Sequence, residues 1–112
     1  HIKDVVKGTL EAARKARPGE IFHFSTSENI SIRSVVELII KKMGVSFEEN
    51  VEIVGERLGK DSAYLLSSEK ANQELGWKDE IGLEQGIEET ITWVQENLES
   101  LKKQPIKYIH KP

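Results

Sequence analysis

The chain has 112 residues, 31% charged and 38% hydrophobic, with 16 Lys and Arg against 19 Asp and Glu; that length holds one domain at most, with room for a core of its own. With no Cys, disulfides, Cys-based zinc sites and thiol nucleophiles are excluded, and a formal charge of −3 with both signs spread along the chain offers no basic stripe for duplex nucleic acid. The longest apolar runs, Val35-Val36 and Leu38-Ile39-Ile40, fall far short of the roughly 20 residues of a membrane span, and no signal-peptide pattern opens the chain, so a cytoplasmic location is expected.

Asp4 is followed by Val5, Val6, Leu10, Ala12, Ala13 and Ala16 at helical spacing, which predicts a first helix capped by Asp4 with these residues on its core face. Pro18-Gly19 breaks it, and Ile21-Phe22-His23-Phe24 predicts a short strand entering the polar loop 25–29. Ser31 then opens a second helix carrying Ile32, Val35, Val36, Leu38, Ile39, Ile40 and Met43 and closed by Gly44. Val51 to Val54 alternates like a strand, Gly55 to Asp61 is a charged loop with two glycines, and Tyr64-Leu65-Leu66 extends again. Ser67 and Ser68 are N-caps for a short helix with Ala71 and Leu75 that stops at Gly76. Leu83, Ile87, Ile91, Val94, Leu98 and Leu101 predict the longest helix, ended by Pro105, and the tail 106–112 has no usable period. Helices alternating with two or three short strands predict an α/β arrangement, with a sheet small for so many apolar faces. Together with the abrupt start one turn ahead of a helix, this gives the expectation of a fragment of a longer protein.

Few residues offer chemistry. No dinucleotide fingerprint, no GxxxxGK[ST] loop and no GxSxG elbow is present, and His1, His23 and His110 lack metal-ligand spacing. His23, inside a β-prone run, is expected to be packed or hydrogen-bonded structure, and Trp77 and Trp93 to be hydrophobic anchors in a core or groove. Arg57 and Lys60 stand in a loop with Gly55 and Gly59. That spacing suits either an ordinary solvated loop or a phosphate clamp in which a guanidinium fork and a point charge meet an anion over permissive backbone.

The loop is the first member of an ordered series that runs on towards the C-terminus: Arg57-Leu58-Gly59-Lys60-Asp61, Tyr64, Ser68-Glu69-Lys70-Ala71, Glu74-Leu75-Gly76-Trp77, Leu83-Glu84, Gly86-Ile87, Thr90 and Trp93. Upstream stand His1-Ile2-Lys3-Asp4-Val5-Val6 and Gly19-Glu20-Ile21-Phe22-His23-Phe24. The series resembles the C-terminal third of the extended short-chain dehydrogenase/reductase family, the NAD-dependent nucleotide-sugar epimerases and dehydratases. Its loop is most similar to that of dTDP-glucose 4,6-dehydratases. The resemblance covers nearly the whole chain up to about residue 100. Leu58 replaces the usual Pro, Ser62 and Ala63 replace further Arg, His23 replaces Asn and Ser67 replaces Asp, so the loop carries fewer positive charges than its counterparts.

The resemblance implies an α/β fragment of a Rossmann-type enzyme. Residues 1–28 would be the last helix and strand of a truncated dinucleotide-binding domain, and residues 29–112 a small mixed α/β lobe that binds a nucleotide-diphosphate sugar. It implies that Arg57 contacts the diphosphate, with Lys60 near the nucleotide and Gly59 in the same loop. NAD would serve the full-length protein, a homodimer, from a site outside this chain. The YxxxK and GxxGxxG motifs of the family's hydride chemistry are absent, since Tyr108-Ile109-His110-Lys111 is one residue too short. Catalysis by the chain alone is therefore not expected. Two other readings share the sequence: a freestanding interaction module docking through the Trp93 face, and a non-catalytic sugar-nucleotide-binding subunit.

Overall fold

The computed structural model describes residues 1–55, 59 and 63–105. Its elements in chain order are α1 (Ile2–Lys15), α2 (Ile32–Met43), a single turn α3 (Phe47–Asn50), a π-helical turn (Ala71–Leu75), α4 (Leu83–Glu96) and a closing turn α5 (Leu98–Leu101). Among the described residues none is in a strand.

The helix ends follow side-chain chemistry. Ser31 caps α2, its hydroxyl accepting from the Ser34 N–H at 3.0 Å, and Gly44 ends it in the left-handed region at φ 66°, a conformation that costs glycine nothing. Gly76 closes the π turn in the same way at φ 68°. The cap of α1 is His1, whose ring nitrogen Nδ1 accepts from the Lys3 N–H at 3.3 Å; Asp4, expected at that position, lies inside the first turn instead. Phe47–Asn50 forms a turn unforeseen in the sequence, opened by the Ser46 hydroxyl on the Glu49 N–H. The long C-terminal helix expected from Leu83 to Pro105 is divided at Asn97, whose backbone leaves helical values (φ −106°, ψ 8°) and whose side-chain amide donates to the Trp93 carbonyl at 2.8 Å. An Asn competing with the backbone for a carbonyl is a helix terminator.

The core is small. Ala71, Leu75 and Trp77 are buried, with Ala12, Phe22 and Phe24 packed against them. α1 packs on the π turn, and its buried Asp4 and Gly8 and its half-buried Ala12 stand at positions i, i+4 and i+8, one face of a 3.6-residue helix. Gly8 is there because Phe24 is: a Cβ at this position would fall 2.6 to 2.9 Å from three atoms of the Phe24 ring. Of Val5, Val6 and Leu10, all expected on the core face, Val5 is 40% exposed at the edge of that face, beside the hollow it lines with Asp4 and Phe24, while Val6 and Leu10, with Ile2, are 50–66% exposed away from it. The helix is packed through its small and polar residues, and its apolar stripe faces outward. Elsewhere α2 packs on α4, with Val35, Val36, Leu38, Ile39 and Ile40 only half-buried.

The expected strands are present as side-chain patterns without ladders. Along 21–24 Phe22 and Phe24 turn inward onto the core, and Ile21 and His23 are exposed to solvent. Its backbone is met by side chains rather than a neighbouring strand. The Lys70 ammonium donates to the Ile21 carbonyl at 3.4 Å, and the Ser68 hydroxyl accepts from the Ser25 N–H at 2.6 Å while donating to the Ser25 carbonyl at 2.8 Å. At 51–54 only Val51 is half-buried, with Ile53 76% and Val54 73% exposed. A strand needs a partner about 4.8 Å away, and the described residues provide none, so the mixed sheet expected of the lobe is not formed among them.

Candidate functional site

The loop singled out in the sequence comes after α3 and the segment 51–54, and of its residues Gly55 and Gly59 are described. Arg57 and Lys60 lie outside the described residues. Gly59 is exposed and left-handed at φ 76°, with no atom within 4 Å of the place a Cβ would occupy. The backbone there takes a conformation that favours glycine. The segments entering and leaving the loop are apolar and uncovered, with Ile53, Val54, Tyr64 and Leu65 between 73% and 80% exposed.

The polar arrangement that the described residues do assemble lies under α1. The Trp77 indole N–H donates to the Asp4 carbonyl at 2.7 Å, and the Asp4 carboxylate, in a residue only 3% exposed, accepts from the Ile81 N–H at 3.1 Å. The Trp77 ring also meets Phe24, centroid to centroid 5.0 Å at 55°, a tilted pair of favourable quadrupole geometry. Beside these groups is a hollow of about 380 Å³ whose acidic lining consists of Asp4, Glu28 and Asp79. Carboxylates repel a diphosphate. This hollow is joinery between α1 and residues 77–82.

Three lysines of the described part pair with carboxylates far along the chain. Lys3 reaches Glu89 at 2.5 Å, Lys7 reaches Glu80 at 2.6 Å and Lys42 reaches Glu88 at 2.6 Å. The Glu80 hydrogen bond holds the Lys7 ammonium above its ordinary pKa, and Glu88 does the same for Lys42. Lys3 and Gln85, by hydrogen bonding, hold Glu89 below the usual carboxylate range. Lys70 sits 4.4 Å over the Phe22 ring and 3.5 Å from Glu20, and Glu20 is lowered chiefly by the Arg17 N–H, with Lys70 assisting. These lysines tie the elements together.

Trp77 is the core anchor expected of it, whereas Trp93 is 54% exposed on a groove and His23 is exposed to solvent. Asp4, Gly8 and Ser68 are residues whose tertiary roles the sequence conceals. A glycine in mid-helix is the available signal for Gly8, since it costs the helix unless something approaches closely. Among the described residues no group of three or more His, Asp or Glu is placed to hold a metal ion.

No protein-family model matches the chain. Its fold is that of a part of an extended short-chain dehydrogenase/reductase enzyme: it superposes on the crystal structure of the Bordetella bronchiseptica enzyme WbmF in complex with NADH with a TM-score of 0.73 and 26% identity, covering 91% of this chain and 30% of that one. In sequence it is 32% identical over 108 residues to a dTDP-glucose 4,6-dehydratase of Streptomyces antibioticus. It is 34% identical over 104 residues to the human dTDP-D-glucose 4,6-dehydratase, and 31% identical over 109 residues to the Escherichia coli dTDP-glucose 4,6-dehydratase. These matches take in 88–94% of the chain but only 29–32% of each relative, so the chain spans about a third of the length of the curated relatives it matches. It is a relative of the dTDP-glucose 4,6-dehydratases, as the motif series from Arg57 to Trp93 indicated.

Proposed function

We propose that the chain is the substrate-binding portion of an NAD-dependent nucleotide-sugar 4,6-dehydratase or epimerase, cytoplasmic and homodimeric at full length. Residues 1–28 close a dinucleotide-binding domain whose body lies elsewhere, and residues 29–112 form the nucleotide-sugar lobe. The observation that carries this reading is the match to enzymes named dTDP-glucose 4,6-dehydratase along most of the chain. The outward apolar stripe of α1 agrees with it, because a helix packed on one side and apolar on the other belongs between two layers.

In this reading Arg57 grips the diphosphate through its guanidinium fork, Lys60 adds a point charge beside the nucleotide, and Gly59 lets the backbone approach. The loop contributes binding energy and orientation, which raise the rate only when they hold the sugar correctly against groups outside this chain. NAD supplies hydride exchange in such enzymes, but the residues of this chain do not fit it. The first turn of α1 presents the buried Asp4 carboxylate where a pyrophosphate would need a bare positive helix end. The chain's own part in the reaction is to bind and orient.

An amide NMR titration of the chain with dTDP, UDP, GDP and CDP tests this. Saturable shifts clustered on residues 55 to 64, lost in Arg57→Ala, are expected, with the thymine nucleotide giving the tightest curve. A dispersed spectrum that ignores all four nucleotides would overturn the proposal and favour an interaction module.

A further inference from the structure

The described residues divide by how firmly they are held. Between residues 1–25 and 68–81 the ties are many: the core of Ala71, Leu75 and Trp77 with Ala12, Phe22 and Phe24, the Asp4 bonds to Trp77 and Ile81, and the Lys15 ammonium donating to the Leu75 carbonyl at 2.9 Å. Residues 27–54, which carry α2 and α3, contain no buried residue. Within that segment Arg33 pairs with Glu37 and sits 5.5 Å from the centre of the Phe47 ring, joining α2 to α3. Among the described residues, the segment's polar links to the rest of the chain are those of Lys42, 2.6 Å from Glu88 and 3.6 Å from Glu84 of α4. Otherwise α2 rests on α4 through half-buried apolar residues.

The chain leaves the core at Ser25 and re-enters it at Ser68, 43 positions on, and these two residues are bonded to each other. The Ser68 hydroxyl accepts from the Ser25 N–H at 2.6 Å and donates to the Ser25 carbonyl at 2.8 Å. One hydroxyl thus satisfies both backbone groups of Ser25 and pins the crossing, as a neighbouring strand would. The Lys42 pairs are weaker fastenings. Their carboxylate side chains are 63% and 77% exposed, and pairs so exposed add little and are screened by salt. Segments with little buried surface open below the free energy of global unfolding. We propose that residues 27–54 form an arm that comes off α4 as one unit, hinged at the Ser25–Ser68 crossing and latched by Lys42, while α1 and the π turn stay in place. The arm ends at the residue before Gly55, so on the nucleotide reading given above its position sets where the proposed clamp begins. The arm itself does not depend on that reading.

Native-state amide hydrogen exchange, followed by NMR without nucleotide, tests this. α2 has 12 residues, and a helix that short is marginal once alone, so it loses amide protection whenever the arm leaves α4. The amides of residues 36–43 are expected to share one protection factor, lower than those of α1 and the π turn. Ser25, whose N–H is held by Ser68, is expected to exchange with the core. Lys42→Gln, or raised salt acting on the same pairs, should speed exchange in α2 by about two- to fivefold and leave α1 and the π turn unchanged. Protection in α2 equal to that in α1 would overturn the proposal, because the chain would then open only as a whole. So would a Ser25 amide that exchanges with α2, which would remove the hinge, or protection lost only at the ends of α2 and indifferent to Lys42→Gln, which would be fraying.

Discussion

Asp4 is the residue on which two parts of the chain meet. Its carbonyl takes the Trp77 indole proton and its carboxylate the Ile81 N–H, across sequence separations of 73 and 77. Replacing it with Ala leaves the Ile81 N–H without its partner and removes an acidic group from the first turn of α1, where the helix dipole favours it. Asp4→Ala is expected to destabilise by about 1–3 kcal/mol, read as a lower urea midpoint in Trp77 fluorescence, with Asp4→Asn recovering part of the loss. Gly8 gives a prediction of opposite sign to the usual rule. In an exposed helix Gly→Ala stabilises by about 1 kcal/mol, but here the new methyl meets the Phe24 ring, itself held on Trp77. Gly8→Ala is expected to cost about 1–3 kcal/mol, and Gly8→Ala with Phe24→Leu to regain much of it; a stabilised single variant would contradict this packing. Neither role is legible from the residue types. An Asp at the front of an amphipathic run reads as a cap, and its true partners, 73 and 77 residues away, leave no local trace.

At the scale of elements, what the sequence shows depends on whether the signal is local. Ser31, Gly44 and Gly76 start or stop helices through bonds to near neighbours in the chain, and the residue types alone locate all three. The apolar period of α1 locates the helix but not the face that packs, because a stripe declares that it will be covered without saying by what. The same holds for 21–24, whose inward aromatics survive while its ladder has no partner among the described residues. As for the candidate site, the proposed clamp is legible only as a charge pattern between glycines and through family resemblance, and of the three residues proposed for it Gly59 is the one that the structure describes. Ion pairs join the elements, and they make stability depend on pH at both ends. Glu11, Glu20, Glu48 and Glu89 are held below the ordinary carboxylate range, so the stability they contribute is complete above the unfolded value of about 4.3 and is lost as pH falls through their lowered values. Lys7 and Lys42 are raised, so their contribution is complete below about 10.4 and is lost as pH rises through the raised values. A urea midpoint flat from about pH 5.5 to 9 with both edges falling is expected, and Glu89→Gln should shrink the acid-side drop without moving the alkaline one.

Over the whole molecule the deciding quantity is surface. The chain exposes 9922 Å² for a mass of 12.7 kDa, where a compact monomer of that mass exposes about 6200 Å² and its unfolded form about 18,400 Å². Folding therefore buries about 46% of the unfolded surface instead of about two-thirds, and the radius of gyration of 17.6 Å exceeds the roughly 13 Å of a compact chain of this length. The length permits a larger core, but a core also requires apolar faces that meet, and the stripe of α1, residues 53–54 and 64–66 and the Trp93 side of α4 stay exposed. Such surface is what remains when a covering layer is elsewhere. The denaturant slope scales with the surface exposed on unfolding, so the urea m-value of this chain is expected to be about 30% below that of a compact domain of equal length. Dye that reports exposed apolar surface should bind in native buffer and be displaced as coverage is restored by extension of the chain towards the length of its relatives. A full-sized m-value with no dye binding would instead mean that the 112 residues close on themselves, as a freestanding module must.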